Sequence, residues 1–91
     1  MTSAISDKVV LETTLDIIID ELELDLEQQA VDLNADLVQE YGADSLGLIQ
    51  VLARVNKELS IRVPQDDAGE LTTVGLLVDR IIRIRDAKDH D

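Results

Sequence analysis

Aliphatic residues recur along this chain at helical intervals, and almost nothing else is available to build its interior. Leu11, Leu15, Ile18 and Leu22 follow at steps of four, three and four, which puts them on one face of an amphipathic helix. Ile5, Val10, Ile17 and Ile19 broaden that face. Leu48, Leu52, Val55 and Leu59 form a second stripe, and Leu77, Ile81 and Ile84 a third. Tyr41 is the only aromatic residue, so Leu, Ile and Val must fill the core. One proline and four glycines in 91 residues leave few helix breakers. The pattern predicts an all-α fold in a single domain over residues 1–91. Its core is expected to cover about 5–86, with a polar tail over 87–91.

Ser3 and Ser6 offer starts for a first helix over about 5–22. Leu22-Glu23-Leu24-Asp25-Leu26-Glu27 alternates strictly, which by itself suggests a strand. No similar run offers a partner, and a lone strand is not stable. The segment therefore reads as the helix end passing into a long ordered loop over 27–44. Val31, Leu33, Leu37 and Val38 are its expected apolar anchors. Asp36 can cap one short helical turn, because Gln39 sits three residues later. The second helix is expected over 45–59, with Leu46, Ile49 and Ala53 in a strip flanking its core stripe. Pro64 biases Val63 towards an extended conformation. Residues 65–71 read as one short helix, and Thr72 or Thr73 caps the last one. Arg80, Arg83, Arg85 and Lys88 fall in its C-terminal half, where they oppose the negative end of the dipole. His90 lies in the polar tail.

The formal net charge of −12 argues against binding nucleic acid, since phosphates would be repelled. That charge is unevenly spread. Residues 1–44 hold twelve acids and one base, whereas residues 45–91 hold eight acids and seven bases. Without cysteine there is no disulfide, thiolate metal site or cysteine nucleophile. No secretory signal, transit peptide or membrane-spanning run is visible, and Ile17-Ile18-Ile19, flanked by Asp16 and Asp20, reads as core. A cytoplasmic monomer is the expectation.

The border in charge falls at Gly42-Ala43-Asp44-Ser45-Leu46. Asp44 suits an N-cap, and Gly42 permits a tight turn before it. Ser45 is then the first helical residue, beside the positive end of the helix dipole, where a phosphate is favoured. Asn34-Ala35-Asp36-Leu37 precedes this stretch, while Ile61-Arg62-Val63-Pro64 and Leu71-Thr72-Thr73-Val74 follow it. In order and spacing, these segments resemble the acyl carrier protein family over roughly Leu22 to Ile84. The resemblance implies a four-helix bundle with three main helices and a short one. It implies that Ser45 carries 4′-phosphopantetheine, attached by a phosphopantetheinyl transferase. It also implies thioester traffic with acyltransferase or ketosynthase-type enzymes, by a carrier that catalyses nothing itself. Asp44, Leu46, Ile49, Gln50 and Arg54 are the partner-recognition residues expected on this basis. Leu48, Leu52, Leu77 and Ile81 are candidates for lining an acyl-chain shelter.

Other readings of the same residues are blander. A serine at a helix start is most often a capping residue, but Asp44 can already cap here, which frees Ser45 to point outward. A serine hydrolase does not fit, because the Gly-x-Ser-x-Gly elbow is absent and the only histidine is His90. Asp32, Asn34 and Asp36 are spaced like the start of a calcium loop, but Leu37 replaces the turn glycine and Ala43 the bidentate glutamate. Asp36, Glu40 and Asp44, with Asp66, Asp67 and Glu70, are either solvated surface or steering charge for basic partners. The helix after Ser45 departs from similar carriers of fatty-acid synthesis, which usually present acids there. Gly47, Gln50, Asn56 and Lys57 stand in those places. That departure favours a dedicated polyketide or specialised acyl pathway. The alternatives are a peptidyl or aminoacyl carrier, or an unmodified acidic binding module.

Overall fold

The computed structural model describes the backbone of residues 5–89 and the side chains up to Ala87. Its elements are α1 (Asp7–Glu21), a 3₁₀ turn (Gln28–Ala30), α2 (Leu37–Tyr41), α3 (Ser45–Leu59), a second 3₁₀ turn (Gln65–Gly69) and α4 (Val74–Asp89). Three long helices and short ones thus form an all-α bundle, as the stripes predict. Ser3 and His90 lie outside the described residues. α4 runs to Asp89, so the helix continues into the stretch expected as tail.

α1 starts where Ser6 accepts a hydrogen bond from the Val9 amide. Its inner face is Val10, Leu15, Ile17 and Ile18, each 5% exposed or less. Leu11 and Leu22, expected at the centre of that face, lie at its edges, only partly buried. Against it pack Leu48, Val51, Leu52, Val55 and Leu59 of α3 and Val74, Leu77 and Ile81 of α4, all in one cluster. Val51, outside the expected stripe, is 1% exposed. It stands three residues after Leu48 and four before Val55, so it shares their face, and the buried stripe of α3 is wider than expected by that one residue. Burying an aliphatic side chain of this size stabilises the fold by about 1.5–3 kcal/mol. Thr14 is fully buried among them, and its hydroxyl has no hydrogen-bond partner among the described residues.

Ion pairs stitch the helices together. Arg54 on α3 reaches Asp20 at 2.5 Å and Glu21 at 3.1 Å on α1, and Glu58 at 2.9 Å on its own helix. Those carboxylates, Glu58 first, hold its pKa above the ordinary guanidinium value. Arg80 on α4 pairs with Asp67 and, at 3.5 Å, with Glu70. Arg85 donates to the Ile5 carbonyl at 2.7 Å and pairs with Asp7 and Asp86. Asp86 and then Asp7 raise its pKa. The cations of α4 therefore answer carboxylates of neighbouring elements as well as the helix dipole.

The alternating run after α1 is a helix-closing turn. Leu24 N–H donates to the Ile19 carbonyl at 2.9 Å, and Glu23 N–H donates to Asp20 at 3.2 Å. These two bonds are the Schellman pattern, with Glu23 in its left-handed position at φ 54°. The chain then crosses to α2 along α1. Gln28 donates to Asp16 at 2.6 Å and to the Glu12 carbonyl at 3.2 Å. The Tyr41 hydroxyl accepts from the Asp32 amide at 2.9 Å. Leu37 N–H donates to Thr72, and Gly75 N–H donates to Leu33. Of the four expected anchors, Val31 and Leu37 are buried, whereas Leu33 and Val38 are exposed. The loop is fastened by backbone hydrogen bonds at those points, so it needs fewer apolar contacts. Thr73, of the two candidates, caps α4 by accepting from the Leu76 amide.

A non-glycine residue in the left-handed region costs roughly 1 kcal/mol. Glu23→Gly is therefore expected to raise stability by about 1 kcal/mol and Tm by about 4–8 °C. A thermal melt followed by circular dichroism checks this, and an unchanged or lower Tm would contradict it.

Candidate functional site

The corner between α2 and α3 presents Ser45. Asp36 caps α2, its carboxylate accepting from the Val38 amide at 2.8 Å and the Gln39 amide at 3.1 Å. This five-residue helix ends at Gly42, in the left-handed region at φ 71°. A side chain there would be strained, so glycine lets the chain reverse at once into α3. Ala43 then tucks into the core, and its amide bonds the Leu37 carbonyl at 3.0 Å.

Asp44 is extended, and its Oδ1 accepts from the Gly47 amide at 2.7 Å. That is an N-cap bond. Gly47 suits the same geometry: a Cβ there would lie 3.1 Å from Asp44 Oδ1, a tight contact, and 3.4 Å from Leu22 Cδ2, an ordinary one. The glycine that weakens the helix by propensity thus eases the approach of the capping carboxylate.

Ser45 is exposed, the first residue of α3, and its hydroxyl has no hydrogen-bond partner among the described residues. Its amide and that of Leu46 likewise find no acceptor there. Two open N–H groups and the positive end of a fifteen-residue helix therefore surround an outward hydroxyl. These features suit a phosphodiester on the serine oxygen. The Asp44 carboxylate is an adverse neighbour, and its bond from Gly47 holds one oxygen.

A family model described as phosphopantetheine attachment site matches residues 12–81. The chain belongs to this family. Members of the family carry 4′-phosphopantetheine covalently on a serine, and the residues around Ser45 fit that group. Carrier domains of this kind are generally non-catalytic. They are modified by phosphopantetheinyl transferases and interact with acyl-handling enzymes. No helix among the described residues is long and apolar enough to cross a membrane.

The residues expected at the site are distributed as follows. Asp44, Leu46 and Gln50 line a shallow hollow of about 300 Å³ beside Ser45, and Leu46 is 62% exposed. Ile49 is partly buried one turn along α3. Arg54 is partly buried and occupied by Asp20, Glu21 and Glu58, so its charge is engaged by the protein's own carboxylates. Leu48, Leu52, Leu77 and Ile81 are all core residues. Asp32 and Asp36, which imitate a calcium loop, hold local backbone amides instead. Glu21, Leu22 and Glu23 also line the hollow, more than twenty residues before Ser45 in the chain. Sequence reasoning missed them, because nothing local ties the end of α1 to the start of α3.

Replacing Asp44 with alanine removes the cap of α3. Asp44→Ala should cost about 1 kcal/mol of stability in urea denaturation. A loss below a few tenths would show that the cap bond carries little.

Proposed function

We propose that Ser45 is the attachment residue, and that the protein is an acyl carrier serving a dedicated polyketide or other specialised acyl pathway. The observation that carries the attachment reading is the exposed Ser45 hydroxyl between two open helix-start amides, with Asp44 doing the capping. When bound, the prosthetic arm supplies a thiol that holds an acyl group as a thioester; the chain has no cysteine to do so. The protein's own residues position the arm. Gly42 turns the chain, Asp44 orders the first turn, and Gly47 leaves room for both.

The outer face of α3 supports the narrower pathway. Gln50, Ala53, Asn56 and Lys57 are exposed along it. Glu58, the helix's own acid, is held by Arg54. An enzyme that docks by reading acids after the serine finds none unengaged on this helix. The acyl type is preferred over a peptidyl or aminoacyl carrier on the Gly-Ala-Asp-Ser-Leu stretch. Partners are then a phosphopantetheinyl transferase and acyltransferase or ketosynthase-type enzymes.

Intact-mass measurement of protein purified from its own host tests the attachment. One phosphopantetheine adduct, mapped to Ser45 by peptide analysis and lost in Ser45→Ala while helicity is unchanged, is the expected result. An unmodified chain in the presence of an active transferase would point to a plain binding module. The loaded thioester, identified by mass, distinguishes acyl from peptidyl cargo. For the pathway, Gln50→Glu combined with Lys57→Glu should raise turnover by fatty-acid-synthesising enzymes by about three- to tenfold. Both positions are exposed, so the fold should be unaffected. An unchanged or poorer rate would sink the specialised-pathway reading.

A further inference from the structure

We infer that Glu23, in the turn that closes α1, is a specificity-determining residue for docking at Ser45, where it receives a basic side chain of the incoming enzyme. The inference rests on Ser45 being the attachment residue.

Place is the first ground. Glu23 lines the hollow of about 300 Å³ together with Leu22, Asp44, Leu46, Gly47 and Gln50. Asp44 and Leu46 flank the serine itself, so a group seated in the hollow lies against the loading site. Its volume suits one long side chain and is far too small for a folded element.

Backbone conformation is the second. Glu23 sits at φ 54°, in the position of a Schellman turn that glycine occupies without strain. Helix closure alone favours glycine there. Glutamate costs the fold stability and contributes nothing to the closing hydrogen bonds, which come from the backbone. Strain kept at the lip of a functional hollow points to a use for the side chain.

The third is charge. Asp20 and Glu21, just before it, are taken by Arg54. Glu23 is exposed and makes no ion pair among the described residues. α3 offers no unengaged acid of its own, because Glu58 is also held by Arg54. Arg54's single positive charge is shared among three carboxylates, so negative charge at this hollow comes from Glu21 and Glu23 at the end of α1 and from Asp44; of the two on α1, Glu23 is the one without an ion pair among the described residues. Leu46, 62% exposed, adds an apolar surface at the same lip. An arginine or lysine fits such a place: its aliphatic stem lies on Leu46 and its charged head meets Glu23. The recognition acid has moved from the helix after the serine to a turn more than twenty residues before it.

The test uses the full chain, coenzyme A and a phosphopantetheinyl transferase whose carrier-facing surface is basic. Rates are measured for wild type, Glu23→Gln, Glu23→Gly and Asp25→Asn, with the adduct mapped by mass spectrometry. Both Glu23 variants should raise KM by about three- to tenfold at low salt, with kcat unchanged. The difference should shrink at high salt. Asp25→Asn, an equal charge change two residues away on an exposed side chain, should move KM less than about twofold. Glu23→Gly should dock poorly while melting at a higher temperature, which separates recognition from folding. Equal KM values for wild type and both Glu23 variants, with Ser45 loaded normally, would overturn the inference and leave the attachment reading standing. So would a loss that salt does not change, or one that Asp25→Asn reproduces. An adduct absent from Ser45 in every protein would overturn both.

Discussion

The seam between α1 and α3 is the contact on which the rest of this molecule depends. Val10, Ile17 and Ile18 on one side and Val51, Leu52 and Val55 on the other are buried almost completely. The buried residues of the cluster are all aliphatic or alanine, and the one aromatic ring, Tyr41, packs at its edge. Close-packed aliphatic side chains fill its interior, and such packing tolerates little displacement. Arg54 reinforces the seam from outside by reaching the last residues of α1. Because α3 is held there, its first turn is held too, and Ser45 projects from a fixed place rather than from a mobile loop. A carrier whose cargo hangs on a long arm needs such a fixed base.

Charge follows from the same packing. The chain has eight lysines and arginines against twenty acids. Arg54, Arg80 and Arg85 each meet more than one carboxylate across or along helices. Three of the eight cations are thus engaged where elements meet. Acids left without a partner remain around the opening of α3, where Glu23, Glu40 and Asp44 are all exposed. A basic surface approaching Ser45 meets a negative rim with few compensating cations.

Much of this was legible in the residues. The helical spacing located all three long helices, because an amphipathic period is a local property of the chain. Asp36 and Asp44 read correctly as caps, and Thr73 is one of the two threonines offered for α4, since a cap needs only a side chain and an amide two or three residues away. The run from Leu22 to Glu27 was harder, as alternation alone suits a strand. Its resolution as a Schellman turn depends on two backbone hydrogen bonds that no hydropathy pattern encodes. Leu33 and Val38 looked like anchors and are exposed, because backbone bonds from Gly75 and Leu37 hold the loop beside them.

The sequence by itself determined that this chain is helical, that its core is aliphatic, and that one serine follows a capping aspartate at a helix start. Each of these rests on interactions within a few residues. Only the tertiary structure decided which carboxylates stand beside that serine and which are neutralised elsewhere. Glu23 meets the start of α3 across more than twenty residues, and Arg54 reaches Asp20 across thirty-four. Contacts at that separation follow from how α1 and α3 pack. Neither helix carries that orientation in its own pattern.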